Sequence, residues 1–192
     1  NRAEPPAGET VSDALVPLPA GAMMSAWYLN ELLLKLSTRL DPQPALYDAY
    51  AAALGAMRAG EALALVLRRF EWQLLELLGY GLDAGQDART GRPIEAGAYY
   101  HFHPSLGFVA LSSDPGPDAI AGSTVLALAS GEFEAPRGLD EARRVMRKAL
   151  DHLLEGRELR TRAVAQAVAR APRRDEPAGQ GSRPAPQSTL QR

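Results

Sequence analysis

Residues 61–78 constrain the fold most. Leu63, Val66, Leu67, Phe70, Leu74, Leu77 and Leu78 recur at steps of three and four, which sets a broad apolar stripe along one helix. So wide a stripe needs cover from several neighbours, and its helix is expected at the centre of a bundle. Gly79 and Gly81 follow it as C-terminal cap candidates, because glycine reaches left-handed backbone angles cheaply.

Two further apolar helices precede this one. Trp27, Tyr28, Leu32, Leu33 and Leu36 share one face of a helix that begins after Gly21. The Asp41-Pro42-Gln43-Pro44 run breaks the chain. A second helix then turns Leu46, Tyr47, Tyr50, Ala53, Leu54 and Met57 inward and closes at Gly60. Over residues 82–120 the pattern changes from helical to alternating. Arg89–Pro93 reads as a tight turn, and 98–103 and 107–112 read as two strands of a β-hairpin. Helices return at Ser123–Ala129, ended by Gly131, and at Leu139–Leu154, with Ala142, Val145, Met146, Ala149, Leu150 and Leu153 inward. Asp140 and Glu141 suit the positive end of that helix, and Gly156 stops it. A last short helix is expected over Leu159–Ala169. From Ala171 onward Pro, Gly, Ser, Arg and Gln dominate, the composition of a disordered tail. The expected class is therefore mainly α, a helical bundle over residues 21–170 with a small hairpin inserted at 82–120. Residues 1–20 form a lead-in, and 171–192 a disordered C-terminal tail.

Composition limits the chemistry. The chain has 192 residues, no cysteine and a formal net charge of -2. Without cysteine there is no disulfide and no thiolate-bound zinc. No apolar run approaches the roughly 18 residues of a membrane span, and no signal peptide is visible, so a soluble, cytoplasmic protein without a membrane partner is expected. Asn1 in place of a starting Met points to the later part of a longer chain. Charge is uneven: residues 157–192 carry eight arginines against Glu158, Asp175 and Glu176. A basic end on an acidic body suits phosphate or an acidic protein partner.

Nothing in the sequence is catalytic in form. There is no G-x-S-x-G elbow, Walker A loop or G-x-G-x-x-G after a strand, and no enzyme or cofactor is expected. His101 and His103 share a strand face, but His152 is the only other histidine. They read as polar positions on a solvated hairpin rather than metal ligands. Glu71 and Glu76 do not share a helix face and read as solvated or salt-bridged. Arg68 and Arg69 admit two readings. They are either a solvated edge or an anion clamp beside an apolar groove, suited to an acidic, aromatic-tipped peptide. Arg143, Arg144, Arg147 and Lys148 place like charges at i,i+4, which mildly disfavours the helix. Arg157, Arg160 and Arg162 extend the cluster. Either a phosphate backbone meets these seven residues or they form a solvated face.

The order and spacing of four stretches resemble the RecO family of DNA-repair and recombination mediators. They are Arg2-Ala3-Glu4, Trp27–Leu36, Leu67–Asp83 with its Gly-Tyr-Gly ending, and Leu150–Val168. The first resembles the end of the family's OB-fold domain, the rest of which does not precede it here. Many members hold a zinc in a four-cysteine ribbon. The matching places are Asp87, Thr90, Ala110 and Ser113, so the resemblance implies a degenerate, metal-free ribbon. It also implies binding of single-stranded DNA, strand annealing, and recombinase loading with RecR. It implies capture of the acidic C-terminal tail of the single-stranded DNA-binding protein, with Arg68 and Arg69 in the matching helix. A helical protein-interaction adaptor without DNA binding is the alternative.

Overall fold

The computed structural model describes residues 17–37, 43–112, 115–133 and 136–170. The expected C-terminal tail, the Arg2-Ala3-Glu4 stretch and Ser113 lie outside them. After a 3-10 turn at Ala20–Ala22 come α1 (Met23–Leu36), α2 (Pro44–Arg58) and α3 (Leu63–Leu77). Strands β1 (Tyr99–His103), β2 (Gly107–Ala110) and β3 (Ile120–Ala121) follow, then α4 (Gly122–Ser130), α5 (Pro136–Leu154) and α6 (Arg160–Arg170). The mainly α bundle with a small β insert is the architecture the periodicities require.

Helix α3 lies at the centre and packs against α1, α2, α4 and α5. Phe70, Leu74 and Leu75 are fully buried with Leu29 and Leu32 of α1, Met57 of α2, Val125 of α4, and Met146 and Leu150 of α5. Central placement widens its buried arc beyond the apolar stripe. Trp72 and Leu75 are buried, and so are the charged residues Arg68 and Glu71. Three residues expected inward face solvent instead: Trp27 (53% exposed), Tyr47 (71%) and Leu77 (43%). Each lies at the margin of its stripe, where a small rotation of the helix decides exposure. At the end of α3 the amide of Tyr80 donates to the Leu75 carbonyl and that of Gly79 to Glu76. With Gly79 at φ +80°, this is the paired C-terminal cap that favours glycine.

The insert is a three-stranded sheet of order β2-β1-β3 rather than a lone hairpin. Both pairings are antiparallel, with Phe102 opposite Phe108 and Tyr100 opposite Ile120. The third strand is only two residues long, too short for an alternating pattern to announce. Alternation along β1 turns Tyr100 and Phe102 into the core, while His101 is half-buried and His103 exposed. Sheet and bundle join at Gly122, where a Cβ would stand 1.9 Å from the carbonyl oxygen of Glu95 and 3.1 Å from the Tyr100 ring. Only glycine allows the chain to enter α4 there.

Asp87 ties the ribbon together. Its Oδ1 accepts from the amides of Arg89 and Thr90, each at 2.8 Å, and its Oδ2 accepts from the amide of Ala110 at 2.6 Å. One carboxylate thus joins the Arg89–Pro93 turn to β2. These bonds, led by that from Ala110, outweigh partial burial and hold the Asp87 carboxyl below its ordinary value. The residues here do not fit a four-ligand metal. Asp87 already spends both oxygens on backbone amides, and Ala110 has no ligating side chain. Among the described residues no group of three His, Cys, Asp or Glu side chains is placed to hold a metal.

Asp87→Ala leaves three amides without their acceptor. We expect a loss of about 3 kcal/mol in denaturant unfolding, within the range for several broken bonds to a charged group. Amide exchange should accelerate over residues 86–112 and much less in α3.

Candidate ligand-binding site

A cavity of about 500 Å³ opens between α1, α3, α5 and α6. Met24, Leu67 and Leu139 supply apolar wall, and Tyr28, Arg68 and Glu71 line it as a buried polar set. The Tyr28 hydroxyl and the Arg68 guanidinium both donate to Glu71 Oε1 at 2.7 Å. Burial pushes the Glu71 carboxyl up, against the pull of Arg68 and the Tyr28 hydrogen bond. Burial, then the Glu71 charge, also pushes the Tyr28 phenol well above its usual range. Arg68 is thus not a solvated edge, and its guanidinium is already paired with Glu71. Glu71 Oε2 and Arg68 Nε lack hydrogen-bond partners among the described residues.

Arg69, next in sequence, points elsewhere. Its Nε donates to the Gly131 carbonyl at 3.0 Å, and its guanidinium stands 3.3 Å from Glu61. It braces the C-terminal end of α4 and does not line the cavity.

The basic cluster divides the same way. Arg143 and Arg147, both exposed, line the cavity, and so does Arg162 of α6. Arg144 donates to the Ala119 carbonyl at 3.2 Å beside β3, with Lys148 one turn further along the same flank of α5. Arg157 donates to the carbonyls of Lys35 (2.8 Å) and Leu154 (3.1 Å), joining the ends of α1 and α5. Arg160 projects from the start of α6. Of the seven, Arg147 and Arg162 form ion pairs among the described residues, both with Asp151, while Arg144 and Arg157 bond backbone carbonyls.

Two carboxylates position these elements through roles that the sequence did not mark. Glu31 caps α6 from a distance, accepting from the amides of Arg160 (2.7 Å) and Thr161 (2.9 Å) and from the Thr161 hydroxyl (2.7 Å). Partial burial raises its carboxyl, and these bonds outweigh that and lower it. Glu141, expected to serve the dipole of its own helix, is buried and serves α4 instead. It accepts from the Ala121 amide (2.9 Å), the Thr124 hydroxyl (2.7 Å) and Arg137 (3.1 Å). Here too burial raises the carboxyl, but the hydrogen bonds prevail and lower it. No local motif signals either role, because the partners lie far along the chain.

Comparison with known proteins supplies the family. The family model described as "Recombination protein O C terminal" matches residues 20–163. The chain belongs to this family. It is 42% identical over 143 residues to "DNA repair protein RecO" of Pseudomonas aeruginosa (strain LESB58), covering 74% of this chain and 60% of that protein. The protein of the same name from Azoarcus sp. (strain BH72) is 38% identical over 155 residues, covering 78% and 64%. That of Alkalilimnicola ehrlichii is 42% identical over 164 residues, covering 84% and 64%. The chain thus spans about three fifths of the length of these curated relatives. Among its described residues no helix is long and apolar enough to cross a membrane.

Two predictions follow from this geometry. Removing one partner of a buried ion pair strands the other, so Glu71→Leu should cost about 3–5 kcal/mol, whereas Arg68→Met with Glu71→Leu should cost far less. Urea unfolding of the single and double variants measures the difference. The second concerns acid. Glu141 has a lowered carboxyl, so its contribution to stability is present above the unfolded value and lost as pH falls through the folded one. Glu141→Gln should therefore be less stable at neutral pH and lose less stability between about pH 5 and pH 2 than the wild type. Thermal unfolding across that range tests it.

Proposed function

We propose that this chain is the helical part of a DNA-repair and recombination mediator that binds rather than catalyses. Family membership supports the role, and the cationic residues lining the cavity are the observation that supports a site there. The acidic C-terminal tail of the single-stranded DNA-binding protein suits such a place. Its aromatic side chain would lie against Met24, Leu67 and Leu139, and its carboxylates would meet Arg143 and Arg147 at the mouth. Arg68 would then act as neutralised wall and Arg69 as a brace at the edge of the site.

Single-stranded DNA is the second proposed ligand, held by phosphate contacts to Arg143, Arg144, Arg147, Lys148, Arg157, Arg160 and Arg162. The exposed members would carry most of the binding. Phosphate contacts are read without sequence preference, so binding should be nonspecific and weak. Strand annealing and recombinase loading with RecR belong to the same proposal.

Arg143→Ala with Arg147→Ala tests both ligands without disturbing the core. Affinity for an acidic, Phe-ended peptide should fall about tenfold or more by fluorescence anisotropy, as for lost charge-assisted contacts. The salt dependence of single-strand binding should become shallower by about 0.7 per phosphate contact removed. Unchanged peptide affinity would remove the cavity from the reading. Unchanged salt dependence would leave a protein-binding adaptor.

A further inference from the structure

A second cavity of about 320 Å³ adjoins the first and shares Arg147, Arg162 and Gln166 with it. Asp151 lines the second cavity only. Its Oδ1 accepts from Arg162, and its Oδ2 stands 3.8 Å from Arg147 Nε. One carboxylate thus faces, with separate oxygens, the two arginines common to both cavities. We propose that Asp151 is a placeholder carboxylate. It occupies the cationic junction until an extended acidic peptide, seated in the first cavity and continuing into the second, displaces it with a carboxylate of its own. This rests on the reading of the larger cavity as the site of an acidic tail.

Three features support exchange. First, the Asp151 side chain is 51% exposed and that of Arg147 is 53% exposed. An ion pair so open to water is weak and easily broken, and the pair with Arg162, itself 22% exposed, still has Asp151 as an open partner. Second, exchange conserves charge pairing, because a ligand carboxylate replaces one from the protein and no cation is left bare. Third, Arg162 has anchors other than Asp151. It projects from the first turn of α6, which Glu31 caps through the Arg160 and Thr161 amides, and it lies 5.8 Å from the centre of the Tyr28 ring. The partner's class follows from the other acids. Asp140 lines the first cavity and Glu158 the second. Acids flanking the junction disfavour a continuous run of phosphates more than a peptide whose carboxylates are spaced apart.

The test compares two peptides in the wild type, Asp151→Asn and Arg162→Ala at fixed ionic strength. The short one ends in an aromatic residue with one acidic side chain, and the long one adds three acidic residues upstream. The long peptide should bind the wild type more tightly. Asp151→Asn should tighten the long peptide about threefold, the scale of one exposed ion pair, and the short one, whose carboxylates reach Arg147 alone, by less. Arg162→Ala should abolish the advantage of length. Equal binding of both peptides, with no effect of Asp151→Asn, would overturn the placeholder while keeping the tail site. If neither peptide binds the wild type, the tail site falls and the placeholder with it. If Asp151→Asn strengthens binding of an oligonucleotide but of neither peptide, the displacing ligand is a phosphate backbone and the peptide assignment is wrong.

Discussion

Everything in this fold rests on burying α3. Four helices converge on it, and an arc that wide exceeds what its leucines can fill. Two charged residues are carried into the interior as a result, and they are tolerable only as a pair. Arg68 and Glu71 stand at i,i+3 on one face of the helix, and Tyr28 of α1 adds a hydroxyl to the same carboxylate oxygen. A pair of this kind is weak evidence for stability, since its desolvation offsets much of its attraction. It does fix how α1 and α3 meet, because only one approach brings the phenol within reach.

The same economy of carboxylates runs through the rest of the molecule. Asp87, Glu31 and Glu141 each accept three hydrogen bonds, and each joins elements distant in sequence. Backbone amides at a turn, at a helix start and before a helix would otherwise need water or a local cap. In the ribbon, a carboxylate facing three amides holds the turn to the strand. It does so without any of the thiolates that the RecO resemblance associates with this region.

What was legible in the sequence were features with a period. Helix count and order, the Gly79 and Gly131 stops, and the β1–β2 pairing all follow from spacing or from the backbone angles glycine permits. Features set by tertiary encounter were not legible. Arg68 and Arg69 look equivalent in the chain, but adjacent positions on a helix diverge by about 100°. One therefore enters the core and the other braces α4. The run of basic residues on α5 and beyond similarly splits between the cavity, the β3 edge and the end of α1. Glu31 resembles any surface glutamate with a lysine four residues on.

The capping of α6 by Glu31 also bears on the order in which the chain assembles. The bond to the Arg160 amide closes a loop of 129 residues, so the contact cannot form early by local search. An eleven-residue helix is marginal in water on its own, and most of α6 is exposed. Its helical state is therefore set by an acceptor that is in position only after α1 has docked. Helix α6, which with α5 borders both cavities, is expected to settle last, on a body already folded, and to be the first element to loosen.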